Sequence, residues 1–158
     1  MATAINRRNF LGGASWTGLA AVPARSAPGD RIRLGFIGCG GRGRSLMGIV
    51  ARYPDVDIAA VSDVIEPRME QAQAALARRG RKPEGVVDYR RLLERKDIDA
   101  VFIATTQHWH GLPFIHACQA GKHIYCEKPL AHTVVEGRAM VNAARRSGII
   151  AVMGTQQH

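Results

Sequence analysis

Ile32-Arg33-Leu34-Gly35-Phe36-Ile37-Gly38-Cys39-Gly40-Gly41-Arg42-Gly43 is the stretch from which the rest of the chain can be read. Its apolar positions, Ile32, Leu34, Phe36 and Ile37, predict a short strand. The strand runs straight into Gly38-x-Gly40-x-x-Gly43, and Ser45, Leu46, Met47, Ile49 and Val50 continue as a helix. Strand, glycine turn and helix in that order form the fingerprint of a dinucleotide-binding unit. Gly38 permits a tight turn of the kind that uses positive φ. Gly40 has no Cβ, so backbone can approach a pyrophosphate, and Gly43 lets the helix lie close to the sheet. The helix N-terminus offers N–H groups and a partial positive charge to phosphates. Glycine-rich loops are common, and a purely structural turn is the alternative. Against it stand the strand before, the helix after, and the acidic Asp63 closing the next strand.

Outward from this unit the chain alternates strand and helix. Ile58-Ala59-Ala60-Val61 is a continuous apolar run typical of a parallel strand buried on both faces. A helix is expected from Pro67, with Met69, Ala72 and Leu76 on one face and a stop at Gly80. Val86-Val87 reads as a short strand and Tyr89 to Leu93 as a short helix. Ala100 to Ala104 is the next buried strand, then the polar turn Thr105 to His110, then a helix through Ile115 and Cys118 to Gly121. His123 to Cys126 is a strand that ends in Glu127-Lys128-Pro129. Thr133-Val134-Val135-Glu136 has the form of a capping box, with Glu136 expected to reach the Thr133 N–H. That helix should run to Ser147 and end at Gly148, before a last strand over Ile149 to Met153. The pattern predicts an α/β fold, a Rossmann-type doubly wound parallel sheet over residues 31–158. In such sheets ligands sit beyond the carboxyl ends of the strands. The glycine loop, Asp63, Thr105 to His110, Glu127-Lys128-Pro129 and Thr155 to Gln157 all fall on that edge.

With 158 residues, the chain suits one domain with a real core and is too short for two. An apolar content of 46% argues against disorder. The net charge of +9 raises the question of nucleic acid, but the Lys and Arg residues are scattered over helix faces with little aromatic interleaving. Solvated surfaces plus a basic leader account for it, and no nucleic-acid partner is expected. Cys39, Cys118 and Cys126 form neither a disulfide framework nor a metal pattern and read as reduced thiols. Residues 1–27 read as an export leader. Asn6-Arg7-Arg8-Asn9-Phe10-Leu11 resembles a twin-arginine signal, and the weakly apolar region to Val22 is too short to span a membrane. A protein that folds and loads a nucleotide in the cytoplasm before export to the periplasm fits both the leader and the thiols.

Three stretches carry a family resemblance: Gly38 to Gly43, Ala104-Thr105-Thr106-Gln107-His108-Trp109-His110, and Ala120-Gly121-Lys122-His123-Ile124-Tyr125-Cys126-Glu127-Lys128-Pro129-Leu130. From about residue 31 the chain resembles the N-terminal half of the glucose-fructose oxidoreductase / inositol dehydrogenase / MocA (Gfo/Idh/MocA) family. Thr106 departs from it, since the family often has Pro there. The resemblance implies a nicotinamide cofactor and oxidation of a hydroxyl on a sugar or polyol. It also implies a second, C-terminal α/β domain with substrate contacts and a catalytic His, which this sequence does not contain. The expectation is therefore a chain that binds cofactor without turnover and exposes apolar surface favouring self-association, such as a homo-oligomer.

The candidate site follows. The glycine loop contributes Gly38, Cys39, Gly40, Gly41, Arg42 and Gly43 to cofactor binding, and the later strand ends add Thr105, Thr106, His110 and Gln156. Asp63 can accept hydrogen bonds from the adenosine ribose and would repel a 2′-phosphate, which favours NAD and leaves NADP open. Its alternative role is as a helix cap. By resemblance, Glu127 bonds the nicotinamide ribose, and Lys128 binds cofactor and is catalytic, contacting the reacting hydroxyl. A lysine in a partly buried site can help move a proton, whereas a surface lysine in a turn is the plain alternative. His108 and His110 stand two apart, but no third ligand has a convincing spacing, so no metal is expected. A same-fold rival is an NAD-dependent lyase or glycosidase. A rival of another class is a non-catalytic binding module.

Overall fold

The computed structural model describes residues 31–155. The elements alternate as β1 (Ile32–Ile37), α1 (Gly41–Val50), β2 (Val56–Ser62), α2 (Glu66–Ala77), β3 (Glu84–Val86) and α3 (Tyr89–Glu94). They continue as β4 (Ala100–Ile103), a 3-10 turn (Gln107–Trp109), α4 (Gly111–Gln119), β5 (His123–Glu127), α5 (Val134–Ser147) and β6 (Ala151–Gly154). The six strands form one parallel sheet in the order β3-β2-β1-β4-β5-β6. Strand order reverses between β1 and β4, and in an open parallel sheet that reversal opens a crevice at the carboxyl edge. Residues 1–30, with the leader, and Gln156 lie outside the described residues.

Two buried clusters flank the sheet. On one face Leu34, Phe36 and Ile58 pack with Leu46, Met47, Met69, Ala72 and Leu76 of α1 and α2. On the other, Ile37, Val101, Ile103 and Ile124 pack with Leu92, Phe114, Ala117, Met140 and Ala143 of α3, α4 and α5. Opposite faces follow from the pleat, which turns Phe36 one way and Ile37 the other. Register then aligns Phe36, Phe102 and Tyr125 across β1, β4 and β5. Their rings stack, with centroids 4.7 Å apart in each pair.

Helix ends follow their local chemistry. α5 stops at Gly148, which is left-handed at φ 67°. Pro67 sits in the first turn of α2, where its missing N–H costs nothing. At the start of α5 the Thr133 hydroxyl accepts the Glu136 N–H at 3.1 Å. The Glu136 carboxylate instead accepts the His132 N–H at 2.6 Å, one residue before the expected Thr133. It leans over Gly111 at the start of α4, where any side chain would collide with it.

Candidate functional site

The glycine loop is shaped by contacts that tolerate no side chain at two positions and by open space at two others. Gly38 has φ 101°, and a Cβ there would come 2.6 Å from the Ala104 carbonyl. A Cβ at Gly43 would run into the Gly38 carbonyl, so α1 rests directly on the turn that precedes it. Gly40 and Gly41 differ: added Cβ atoms would meet nothing within 4 Å. Their bareness serves no packing purpose inside the described chain. No side chain caps α1 and no acid stands in its first turn. A helix N-terminus left in that state, beside two open glycines, fits an anionic group.

Asp63 ties this loop to the end of β2. Its Oδ2 accepts the Cys39 N–H at 2.7 Å and its Oδ1 accepts the Ile65 N–H at 2.9 Å. The second bond is a local turn ahead of α2, whose N-cap position is Ile65. A carboxylate oxygen has two lone pairs, so both oxygens keep capacity for a further donor. The Cys39 thiol is buried and faces the Ser62 carbonyl. Burial, reinforced by Asp63, pushes it up to about 12. Burial and then Glu127 push the Cys126 thiol up to about 12 as well, so both act as small apolar fillers.

A second tie crosses from α1 to the end of β5. Arg42 Nε and Nη2 donate to Glu127 Oε1 at 2.7 and 2.6 Å. The Glu127 side chain is only 5% exposed against 40% for Arg42. A cation in the first turn of a helix opposes the helix dipole, and the carboxylate offsets that. Glu127 also accepts the Tyr125 hydroxyl at 3.4 Å and the Lys128 N–H at 3.1 Å. Burial and then Glu127 raise the Tyr125 hydroxyl, which keeps it a donor.

The third tie joins the turns after β4 and β5. His110 is buried, with Nδ1 2.8 Å from the Pro129 carbonyl oxygen and Nε2 3.1 Å from that of Thr105. The Thr105 hydroxyl donates to the Trp109 carbonyl at 3.1 Å and closes the β4 turn. Thr106 and His108 are exposed, with Thr106 Oγ1 3.5 Å from His108 Nε2. His108 and His110 therefore diverge, and among the described residues no three His, Cys, Asp or Glu side chains gather as a metal would need. Lys128 is exposed, and its peptide bond to Pro129 is cis.

The structure thus brings the glycine loop, Asp63, Thr105, His110, Glu127 and Lys128 to one edge. Links not read from the sequence include Tyr125 on Glu127 and the Arg42 side chain reaching β5. The first was signalled by period two, because Tyr125 and Glu127 share a face of β5. The second spans 85 positions and left no local trace.

Comparison with known proteins agrees with this geometry. The model of an oxidoreductase family with an NAD-binding Rossmann fold matches residues 32–155. A glycosyl hydrolase family 109 protein from a Shewanella species is 33% identical over 92% of this chain and 33% of its own length. One from Solibacter usitatus is 30% identical over 88% of this chain and 36% of its own. Among solved structures, a dehydrogenase from Bordetella pertussis in complex with NADH and UDP-GlcNAcA superimposes with TM-score 0.72 at 26% identity, over 78% of this chain and 37% of that one. A 3-ketoreductase from Actinomadura kijaniata in complex with NADP and TDP-benzene gives 0.69 at 28% identity, over 79% and 37%. The chain spans about a third of the length of the curated relatives it matches. No described helix is long and apolar enough to cross a membrane. With Gly38 to Gly43, Asp63 and Glu127-Lys128-Pro129 in place at the strand ends, the chain belongs to the Gfo/Idh/MocA oxidoreductase family through its NAD-binding Rossmann domain.

Proposed function

We propose that this chain is the cofactor-binding part of an enzyme that moves a hydride between a sugar or polyol carbon and a nicotinamide ring. The observation that carries this is the open face of Gly40 and Gly41 against the uncapped start of α1. The nicotinamide supplies the redox step. The residues of the chain bind and orient. The first turn of α1 receives the pyrophosphate. Asp63 accepts a hydrogen bond from the adenosine ribose while still holding the Cys39 N–H. Glu127 faces the distal ribose, and Lys128 bonds the reacting hydroxyl and assists its proton. The relative crystallised with UDP-GlcNAcA supports a sugar-type substrate.

The cofactor assignment is tested by calorimetry of the purified chain with both nucleotides. NAD should bind more tightly than NADP, because a 2′-phosphate would meet the Asp63 carboxylate. Asp63→Ala should narrow the preference by about tenfold, or 1.4 kcal/mol. Tighter NADP binding by the unaltered chain would overturn the assignment.

The relatives named as glycosyl hydrolases favour a second reading. Oxidising a ring hydroxyl to a ketone would acidify the adjacent C–H; loss of that proton and of the leaving group would give an unsaturated ketone, water would add across the double bond, and return of the hydride would restore the hydroxyl. Release of nitrophenol from a nitrophenyl glycoside without accumulating NADH would select it. The proposal extends to export: Arg7-Arg8 ahead of a weakly apolar stretch supports the twin-arginine route. The double substitution Arg7→Lys, Arg8→Lys should hold the protein in the cytoplasm, and a variant that still reaches the periplasm would refute it.

A further inference from the structure

We propose that His110 is a positioning residue for the nicotinamide half of the site, acting as a strut between the turns after β4 and β5. The inference rests on the dinucleotide reading above. The ring is 1% exposed and makes no solvent-facing contact that would explain a polar group there. Its two nitrogens instead lie 2.8 Å from the Pro129 carbonyl oxygen and 3.1 Å from the Thr105 carbonyl oxygen. Thr105 leaves β4, Pro129 follows β5 by two residues, and these strands are hydrogen-bonded neighbours. The imidazole is rigid, with polar atoms on opposite edges at a fixed separation. Both partners are carbonyl oxygens, so the neutral ring donates to one of them while its other edge packs against the second, and the width of the ring sets the distance between the two turns.

Sheet order says which half of a dinucleotide that distance governs. Asp63 at the end of β2 lies on one side of β1, and β4 and β5 lie on the other. A dinucleotide with its pyrophosphate at α1 and one ribose on Asp63 must lay its remaining half over the β4 and β5 turns. Those turns carry Thr105 on one side and Glu127 and Lys128 on the other. Pro129 is next to Lys128, so a shift of its carbonyl also moves the backbone that aims the lysine. The adenosine half touches neither turn.

The experiment compares NADH with ADP, which keeps the adenosine and the pyrophosphate but lacks the distal ribose and the nicotinamide. Binding to the unaltered chain, to His110→Leu and to His110→Gln is measured by calorimetry, with the fold checked by circular dichroism. In His110→Leu, NADH affinity should fall by about tenfold or more while ADP affinity stays within about twofold. His110→Gln, which keeps an N–H donor for one carbonyl but not the ring, should fall between, and it decides by the same ratio if His110→Leu does not fold. A parallel loss for both ligands, or no loss for either, would overturn the strut. Failure of the unaltered chain to bind either ligand would overturn the dinucleotide reading and the strut with it.

Discussion

The two edges of the sheet use similar residues for different ends. At the amino edge charge is matched with charge. Arg33 pairs with Asp57 at 3.3 Å and Asp97 at 2.9 Å, and Arg95 pairs with Asp97 at 2.8 Å and with Glu84. Lys122 is buried and donates to the carbonyls of Arg95 at 2.7 Å and Ile98 at 2.8 Å. Burial lowers its pKa, and Asp99 and Asp97 act in the other direction. These bonds close the edge on itself. At the carboxyl edge Asp63 and His110 bond the backbone of neighbouring loops, and Glu127 links α1 to β5. Those bonds hold turns in place around glycines that nothing among the described residues covers. One edge pairs its charges with one another and leaves only the buried Arg33 Nε, among the described side chains, without a partner. The other is braced from beneath and keeps donors and space for a ligand.

The sharpest way to break that comparison is a pair of glycine variants in one loop. Gly40→Val should abolish dinucleotide binding, a loss of at least about 100-fold or 2.8 kcal/mol. Its fold should survive, because φ there is −64° and a Cβ meets nothing within 4 Å. Gly38→Val, whose Cβ would lie 2.6–2.7 Å from backbone atoms of Ala104 and Thr105 at φ 101°, should fail to fold. Circular dichroism and calorimetry separate the two outcomes, and unchanged affinity in Gly40→Val would show that the loop holds no dinucleotide.

A smaller effect should appear at the amino edge. Lys122→Met keeps most of the buried stem and removes the donor to two carbonyls. Leaving buried acceptors unsatisfied costs about 1–3 kcal/mol, which should lower the melting midpoint by several degrees. Nucleotide affinity should not change, since the residue stands at the opposite end of β5 from Glu127. A loss of affinity at unchanged stability would mean that the two edges are not independent.

Periodicity and punctuation made much of this legible. The continuous apolar run at Ile58 to Val61 marked a strand covered on both faces, and both flanking cores are present. Gly38 and Gly148 marked the left-handed positions, because a missing Cβ is a local fact visible in the residue itself. Edge placement followed from strand direction: in a parallel sheet every strand ends on the same side, so the residues after each run had to meet.

The partners of those residues were another matter. His110 gave no sign in the sequence that its ring would bridge Thr105 and Pro129. Glu127 gave none that Arg42 would reach it from the far side of the strand reversal. Glu136 reached the His132 N–H rather than that of Thr133. Propensity and pattern act over a few residues and choose the elements, and with them this chain's α/β class and the edge where its site lies. Which side chain bonds which turn depends on distances between segments remote in the chain. Those distances exist only once the two cores have packed against the sheet.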